Sequence, residues 1–137
     1  MAGGGIFARL ARLSAAGLPV ITVLHGASAA GGAYMPGLSD YVVGVKDNGK
    51  AYLAGPALLK AATGEVADDA ELGGAAMHAR VTGLVEYLAE DDAHGLQLCR
   101  EVVGRINWNR RCAAPPAVEF DEPVFSPEEL LGVVPVD

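Results

Sequence analysis

A run of β-branched residues that ends in a turn of very small residues constrains this chain more than any other segment. The run spans residues 19–25, Pro-Val-Ile-Thr-Val-Leu-His, and its composition predicts a buried strand. It leads to Ala29-Ala30-Gly31-Gly32-Ala33, which we call the glycine turn. From Gly31 the spacing predicts a short helix that Pro36 ends or kinks. A strand that feeds a turn and then a helix is typical of α/β folds, and it places binding chemistry at the turn.

The rest of the chain alternates between helical and strand patterns, which predicts an α/β layer architecture. Residues 26–30 are expected to form a turn, and Asp47-Asn48-Gly49 predicts a hairpin between the strands beside it. The other expected helices are 5–16, 56–62, 68–73 and one that starts at Asp91 or Asp92; the other strands are 41–45, 51–54 and 85–88. Prolines dominate after Arg110, so residues 1–109 are predicted as one domain and 110–137 as a Pro-rich inter-domain segment.

Charge is divided unevenly along the chain, and this limits the classes of partner. The formal net charge is −7, of which residues 1–65 contribute +2 and residues 66–137 contribute −9. Nucleic-acid binding needs a basic surface, so the acidic part argues against it. The mildly basic first part is compatible with an anionic small molecule.

No apolar run is long enough to span a bilayer, so no membrane association is expected. Arg9 and Arg12 before an apolar stretch also have the outline of a signal peptide, but the β-branched stretch opened by Pro19 favours a buried strand. Cys99 and Cys112 lack metal or redox spacing. They indicate free thiols in a reducing cytoplasm.

The glycine turn can bind a developing negative charge through its backbone. N–H groups at the start of a helix are unpaired and carry partial positive charge. Gly31 and Gly32 would let a substrate oxygen approach these donors closely, as in an oxyanion hole, where one donor is worth about 3–4 kcal/mol in a transition state. On spacing alone, tight helix–strand packing explains a glycine pair equally well.

Two other interpretations use side chains near the turn. Gly26-Ala27-Ser28-Ala29-Ala30 resembles a nucleophile elbow whose last Gly is replaced by Ala, which would make Ser28 the nucleophile of a serine hydrolase. His78 or His94 would then serve as the base. The same histidines could bind a metal, but no nearby Cys or His completes a site, so no metal is expected.

Residues from about Gly5 to Trp108 resemble the carboxyltransferase β subunit of biotin-dependent acyl-CoA carboxylases, especially the propionyl-CoA and methylcrotonyl-CoA types. Taken together, the order and spacing of the matching segments are specific. These segments are Ala30-Gly31-Gly32-Ala33-Tyr34, Gly55-Pro56, Lys60-Ala61-Ala62-Thr63-Gly64-Glu65, Leu72-Gly73-Gly74-Ala75 with His78, and Asp91-Asp92.

The resemblance implies a crotonase-like fold, a superhelix of ββα units, and a reaction without a side-chain base. A carboxyl group passes from carboxybiotin, which a partner subunit or domain carries, to the α carbon of an acyl-CoA through an enolate. By the same resemblance, Gly31 and Gly32 line the oxyanion hole, and Ala30, Ala33 and Tyr34 shape the substrate pocket. The implied partners are the acyl-CoA and a biotin carboxylase/carrier α subunit.

The chain departs from the family in length. A family subunit is several times longer and contains two crotonase-like halves, with the active site between halves of different protomers. This chain of 137 residues is therefore expected to be a fragment, a truncated product or part of a split subunit that is inactive alone. A non-catalytic CoA-binding or assembly module of the same fold is the alternative. Exposed apolar surface on such a piece predicts homo-oligomerisation or pairing with the missing half.

Overall fold

The protein is described by a computed structural model that covers residues 4–106 and Ser126. The chain divides into two units, residues 1–106 and 107–137. The Pro-rich segment predicted at 110–137 lies outside the described residues apart from Ser126, and the boundary at 109/110 stays a prediction. The helices are Gly4–Ala15 (α1), Tyr34–Gly37 (α2), Pro56–Thr63 (α3), Asp69–Gly73 (α4), Ala75–Met77 (α5) and Asp92–Ile106 (α6); the strands are Ile21–Leu24 (β1), Ala27–Ala29 (β2), Tyr41–Val45 (β3), Lys50–Tyr52 (β4) and Tyr87–Ala89 (β5).

The strands of the described residues form two small sheets, and each of their pairings is parallel. One sheet has the order β1-β3-β5, and the other pairs β2 with β4. Ile21 lies opposite Tyr41 in the first sheet, and Ala27 lies opposite Lys50 in the second. The chain thus has two successive strand pairs, β1-β2 and β3-β4, and each is followed by a helix. The first strands of the two pairs lie side by side in one sheet, and the second strands lie side by side in the other. This is the repeating ββα unit that the resemblance implies.

The three-stranded sheet buries both faces, because alternate residues of β3 point to opposite sides. Val42 packs in a cluster with Leu24, Ala51 and Val85 on one face. The opposite cluster of Val43, Val45 and Ala89 packs against the α6 residue Leu98. Strands buried on both faces have nearly continuous apolar sequences, which explains the compositions of β1 and β3.

Helix boundaries follow the sequence signals closely. Gly17 adopts a left-handed φ of 68° just after α1, and Pro56 begins α3, both as predicted. The Asp68 carboxylate accepts hydrogen bonds from Ala70 N–H at 2.8 Å and Glu71 N–H at 3.2 Å, so Asp68 caps α4. Asp91 Oδ1 accepts from His94 N–H at 2.7 Å and caps α6 in the same way.

The predicted hairpin at Asp47-Asn48-Gly49 is wrong. The turn forms, with Asp47 at φ 62°, but the strands on either side of it enter different sheets. The Asn48 side-chain amide donates to the His25 carbonyl and ties the turn to the end of β1. Gly49 lies so close to β1 that an added Cβ would be 2.3 Å from the Leu24 carbonyl oxygen. This packing directs β4 toward β2 and away from β3.

Two strand assignments also needed correction. Within residues 26–30, predicted as a turn, Ala27–Ala29 form β2, because the parallel partner β4 satisfies their backbone groups. The strand predicted at residues 85–88 is displaced to Tyr87–Ala89, the residues that pair with β3. Small residues such as Ala27 have little intrinsic strand preference, so only the partner strand makes β2 a strand.

Candidate active site

The glycine turn joins β2 to α2 through a strained residue. Ala29 ends β2 with extended backbone, φ −107° and ψ 155°, and residues Ala30–Ala33 form one turn of 3-10 helix. Ala30 has a φ of 50°. Among the described residues, Ala30 and Asp47 are the two that have a positive φ without being glycine. A left-handed conformation costs an L-residue about 1–2 kcal/mol. The chain therefore holds local strain at the junction where the sequence predicts the chemistry.

The 3-10 geometry distinguishes the two predicted donors. In such a turn each N–H bonds the carbonyl three residues earlier, so Gly32 N–H is placed to bond the Ala29 carbonyl. The N–H groups of Ala30 and Gly31 come before this first bond and have no partner within the turn. Gly31 N–H therefore makes no hydrogen bond within the turn, whereas Gly32 N–H is the donor that closes it.

The space around Gly31 and Gly32 shows whether close packing requires glycine at each position. A Cβ added at Gly31 would meet the Phe7 ring at 3.6 Å, an ordinary van der Waals contact. A Cβ added at Gly32 would lie 3.1 Å from Ser28 Oγ, which is tight. Neither glycine has a positive φ. Internal packing therefore accounts for Gly32 but does not require glycine at position 31.

The three residues predicted to shape the pocket lie in different surroundings. Ala30 is exposed, and Ala33 packs on the buried cluster around Leu24. The Tyr34 side chain is 51% exposed and meets the Phe7 ring edge-on, with ring centroids 5.3 Å apart. Tyr34 and Phe7 therefore stand beside Gly31. Phe7 was not predicted, because its contact joins α1 to a helix that lies some 27 residues further along the chain.

A cavity of about 290 Å³ lies beside the turn. Its wall is a continuous stretch from β1 into β2, residues 22–28, closed by Met35 and Pro36 of α2. Ligand pockets commonly enclose about 300–1,000 Å³ and combine apolar walls with a few polar groups. This cavity has that mixture, with Leu24 and Met35 beside Thr22, His25 and Ser28.

The described residues do not bring a hydrolase triad together. Ser28 lies within β2, paired with Ala51, and the strained junction residue is Ala30. His78 Nε2 is 2.7 Å from the Ala51 carbonyl oxygen, and its Nδ1 is 2.8 Å from Thr82 Oγ1. A carbonyl only accepts, so Nε2 carries the proton and the ring cross-links the His78–Thr82 turn to β4. This leaves His78 no free nitrogen to act as base for Ser28.

His94 and the acidic residues near it belong to the start of α6. His94 Nδ1 accepts the Glu90 N–H at 3.2 Å, which completes a reciprocal cap with Asp91. Lys46 Nζ lies 3.3 Å from Glu90 Oε2, and His25 Nδ1 lies 3.9 Å from Asp92 Oδ2. All these groups are solvated, so the run at 90–92 is a helix start. The described part of the chain contains no group of three His, Cys, Asp or Glu side chains placed to share a metal.

An ion pair lies beneath the strand that supports the turn. Lys50 Nζ contacts Asp69 Oδ2, and the two side chains are 25% and 40% exposed. The hydrogen bond to Lys50 lowers the pKa of Asp69, and the bond to Asp69 raises the pKa of Lys50. Burial, followed by interaction with Asp69, raises the pKa of the neighbouring Tyr52. Sequence patterning did not indicate this group, because α4 and β4 meet only in the folded chain.

The parallel ββα units agree with the crotonase-like fold that the resemblance implies, and comparison with known proteins supports the same class. Residues 1–137 match the model of the carboxyl transferase domain. The chain belongs to this carboxyl transferase domain family. A probable biotin-dependent acyl-coenzyme A carboxylase beta2 subunit of Mycobacterium tuberculosis is 52% identical over 98% of the chain and 25% of its own length.

Two further relatives support the same assignment. The mitochondrial methylcrotonoyl-CoA carboxylase beta chain of Dictyostelium discoideum is 42% identical over 98% of this chain and 23% of its own length. The solved β subunit of geranyl-CoA carboxylase from P. aeruginosa is 54% identical, with a TM-score of 0.73 over 98% of this chain and 24% of that chain. The predicted family and the crotonase-like fold are confirmed. The chain spans about a quarter of the length of the curated relatives it matches.

Proposed function

We propose that this chain supplies the acyl-CoA side of a carboxyltransferase site, which transfers a carboxyl group from carboxybiotin to the α carbon of an acyl-CoA. The observation that supports it is the Gly31 N–H, which makes no bond within the 3-10 turn and stands at a position where packing does not require glycine. The carboxylase names of the relatives supply the substrate class.

In this proposal the backbone of the turn stabilises charge and no side chain removes a proton. Loss of the α proton places negative charge on the thioester oxygen, and a fixed N–H donor lowers the energy of that enolate. Gly31 donates, and Gly32 keeps the turn closed without a side chain in the way of the oxygen. Ala30 places both residues at the end of β2, and Tyr34 borders the acyl group.

Biotin, bound to a partner subunit or domain, would supply the carboxyl group, and the ring nitrogen that gives up this group would accept the α proton. We therefore infer a biotin carboxylase/carrier α subunit as one partner, and a second copy or the remainder of a β subunit as another. None of the described helices has the length and apolarity to cross a membrane. We propose the cytoplasm as the location.

A chimera tests the proposal whether or not the chain is active alone. Residues 4–106 replace the corresponding segment of the mycobacterial relative, and carboxylation of acyl-CoA is measured with its biotin-carrying partner. Gly31→Leu keeps the backbone N–H but adds a side chain beside it, which should block the thioester oxygen and lower kcat by about 10²–10³-fold, the usual effect of losing one oxyanion donor. Gly37→Leu is the matched control, because a Cβ at Gly37 meets nothing within 4 Å.

The outcomes separate the candidate functions. Carboxylation retained within a few-fold in the Gly31→Leu chimera, with normal folding, contradicts an oxyanion role. A folded chimera that binds acyl-CoA without turnover supports the non-catalytic CoA-binding or assembly module. His78, one of the two histidines considered as base for Ser28, has both ring nitrogens in hydrogen bonds, and no labelling of Ser28 by an active-site serine probe is expected.

A further inference from the structure

We propose that Asp69 is a positioning residue for the glycine turn, acting through Lys50, Tyr52 and the pairing of β4 with β2. Asp69 is the first residue of α4, and the Asp68 cap fixes its place there. Its Oδ2 contacts Lys50 Nζ, while its Oδ1 is buried without a hydrogen-bond partner. Tyr52 interacts with the same carboxylate, so Asp69 contacts both ends of β4.

The carboxylate is held against β4 by close packing of the helix end. A Cβ added at Gly73 would lie 2.5 Å from the Ala51 carbonyl oxygen and 2.6 Å from the Tyr52 ring. Lys50 also forms an isolated antiparallel bridge with Gly74. The end of α4 therefore rests directly on the strand, and this contact does not depend on the charge of Asp69.

The strand β4 transmits its position to the turn through the β ladder. Lys50 lies opposite Ala27, and Tyr52 lies opposite Ala29, so the two side chains that interact with Asp69 mark both ends of β2. Ala29 is followed directly by Ala30 with its φ of 50°. β4 also contacts the 3-10 turn itself. A strained residue persists only where its surroundings hold it, and β4 is the element that does so here.

The charge of Asp69 fixes the position of β4 in a second way, in addition to the packing of α4 on this strand. Packing of Gly73 on Tyr52 fixes how far α4 lies from β4, whereas the ion pair with Lys50 fixes where β4 lies along that surface. Removing the charge while keeping the shape should let β4 shift by a fraction of an ångström. A displacement of about 1 Å at a catalytic group can cost as much as 100-fold in rate.

Two measurements on Asp69→Asn test the proposal, and only the second rests on the proposed function. In ¹⁵N-labelled full chain, the amide resonances of Gly31 and Gly32 should move, and that of Gly37 should not. Glu71→Gln is the matched control, because Glu71 lies exposed on the same helix. In the chimera, Asp69→Asn should lower kcat about tenfold and leave the acyl-CoA KM within about twofold.

Each result of these two measurements supports or contradicts the positioning role of Asp69. Unmoved Gly31 and Gly32 amides in Asp69→Asn, in a chain whose other resonances show the native fold, overturn the proposal. If Asp69→Asn does not fold, Tyr52→Phe keeps the ring on Gly73 and removes only the hydroxyl, and the same two amides should move. An inactive wild-type chimera counts against the proposed function alone, since the amide measurement does not need turnover. A fall in kcat equal to that of Glu71→Gln counts against Asp69.

Discussion

Ala30 concentrates the backbone strain of the candidate site in one residue. Its φ of 50° lies between extended Ala29 and the helical residues of the turn. The left-handed conformation costs Ala about 1–2 kcal/mol, and glycine avoids this cost. Position 30 is nevertheless alanine. This agrees with a turn whose backbone conformation is held by the elements around it.

Ala30→Gly and Ala29→Gly should therefore have different effects on stability. Relief of strain at position 30 offsets the extra entropy that glycine loses on folding, so the free energy of unfolding should stay level or rise by up to about 1 kcal/mol. Ala29→Gly should lower it by about 0.5–1 kcal/mol. Urea unfolding of the two variants checks this. A larger loss of unfolding free energy for Ala30→Gly than for Ala29→Gly would contradict backbone strain at Ala30.

At the residue scale, the sequence indicated the glycine pair of the proposed site but not the contacts that the surrounding side chains make. Gly31 and Gly32 stand out because glycine pairs after a buried strand are locally visible. Phe7, His78 and Asp69 act through contacts with residues 27, 27 and 19 positions away in the chain, respectively. A single sequence contains no signal for such pairings, since neither periodicity nor turn chemistry reports them.

At the scale of elements, helices were predicted better than strands, for a physical reason. Caps such as Asp68 and stops such as Gly17 act within one turn of the helix they bound. Strand β2 exists because β4 lies beside it, and β5 is placed by β3. The hairpin prediction was wrong for the same reason. A turn signal shows that the chain changes direction, but it does not show which strand the next segment pairs with.

Two glycines of α6 should respond oppositely to alanine. A Cβ at Gly104 meets nothing within 4 Å, so Gly104→Ala should raise the free energy of unfolding by about 1 kcal/mol through helix propensity. A Cβ at Gly95 would lie 3.3 Å from both Val23 Cγ1 and Val45 Cγ2, which forces the helix from the sheet. Thermal or urea unfolding should place Gly95→Ala at least about 1 kcal/mol below Gly104→Ala. Equal stabilisation by both would show that α6 does not pack this closely.

At the scale of the molecule, much of the described apolar surface has no partner. Neither α1 nor α3 has a buried residue. Leu58 of α3 is 60% exposed, and Leu53 just before this helix is 64% exposed. Contiguous exposed apolar groups commonly mark interaction surfaces. The proposed pairing with a second copy or with the rest of a β subunit would cover such groups.

Association of the full chain tests this surface. Light scattering at micromolar concentration should give a mass above that of the monomer, because burial of apolar side chains favours the assembled form. Replacing Leu53 and Leu58 by Ser should shift the mass toward the monomer. Val81→Ser is the matched control, since Val81 is 74% exposed but lies on the His78–Thr82 turn. A stable monomer for the unchanged chain contradicts the proposal.

The parallel pairing of every strand has a consequence for how the chain acquires its fold. Ile21 meets Tyr41 across 20 positions, Ala27 meets Lys50 across 23, and Val43 meets Tyr87 across 44. None of these described pairings is local, so the entropy of closing each loop is lost before its hydrogen bonds form, and folding of such topologies is slow. During synthesis β1 and β2 emerge well before β3 and β4, and β5 comes last. The glycine turn is therefore made early but acquires its working shape only after later residues arrive.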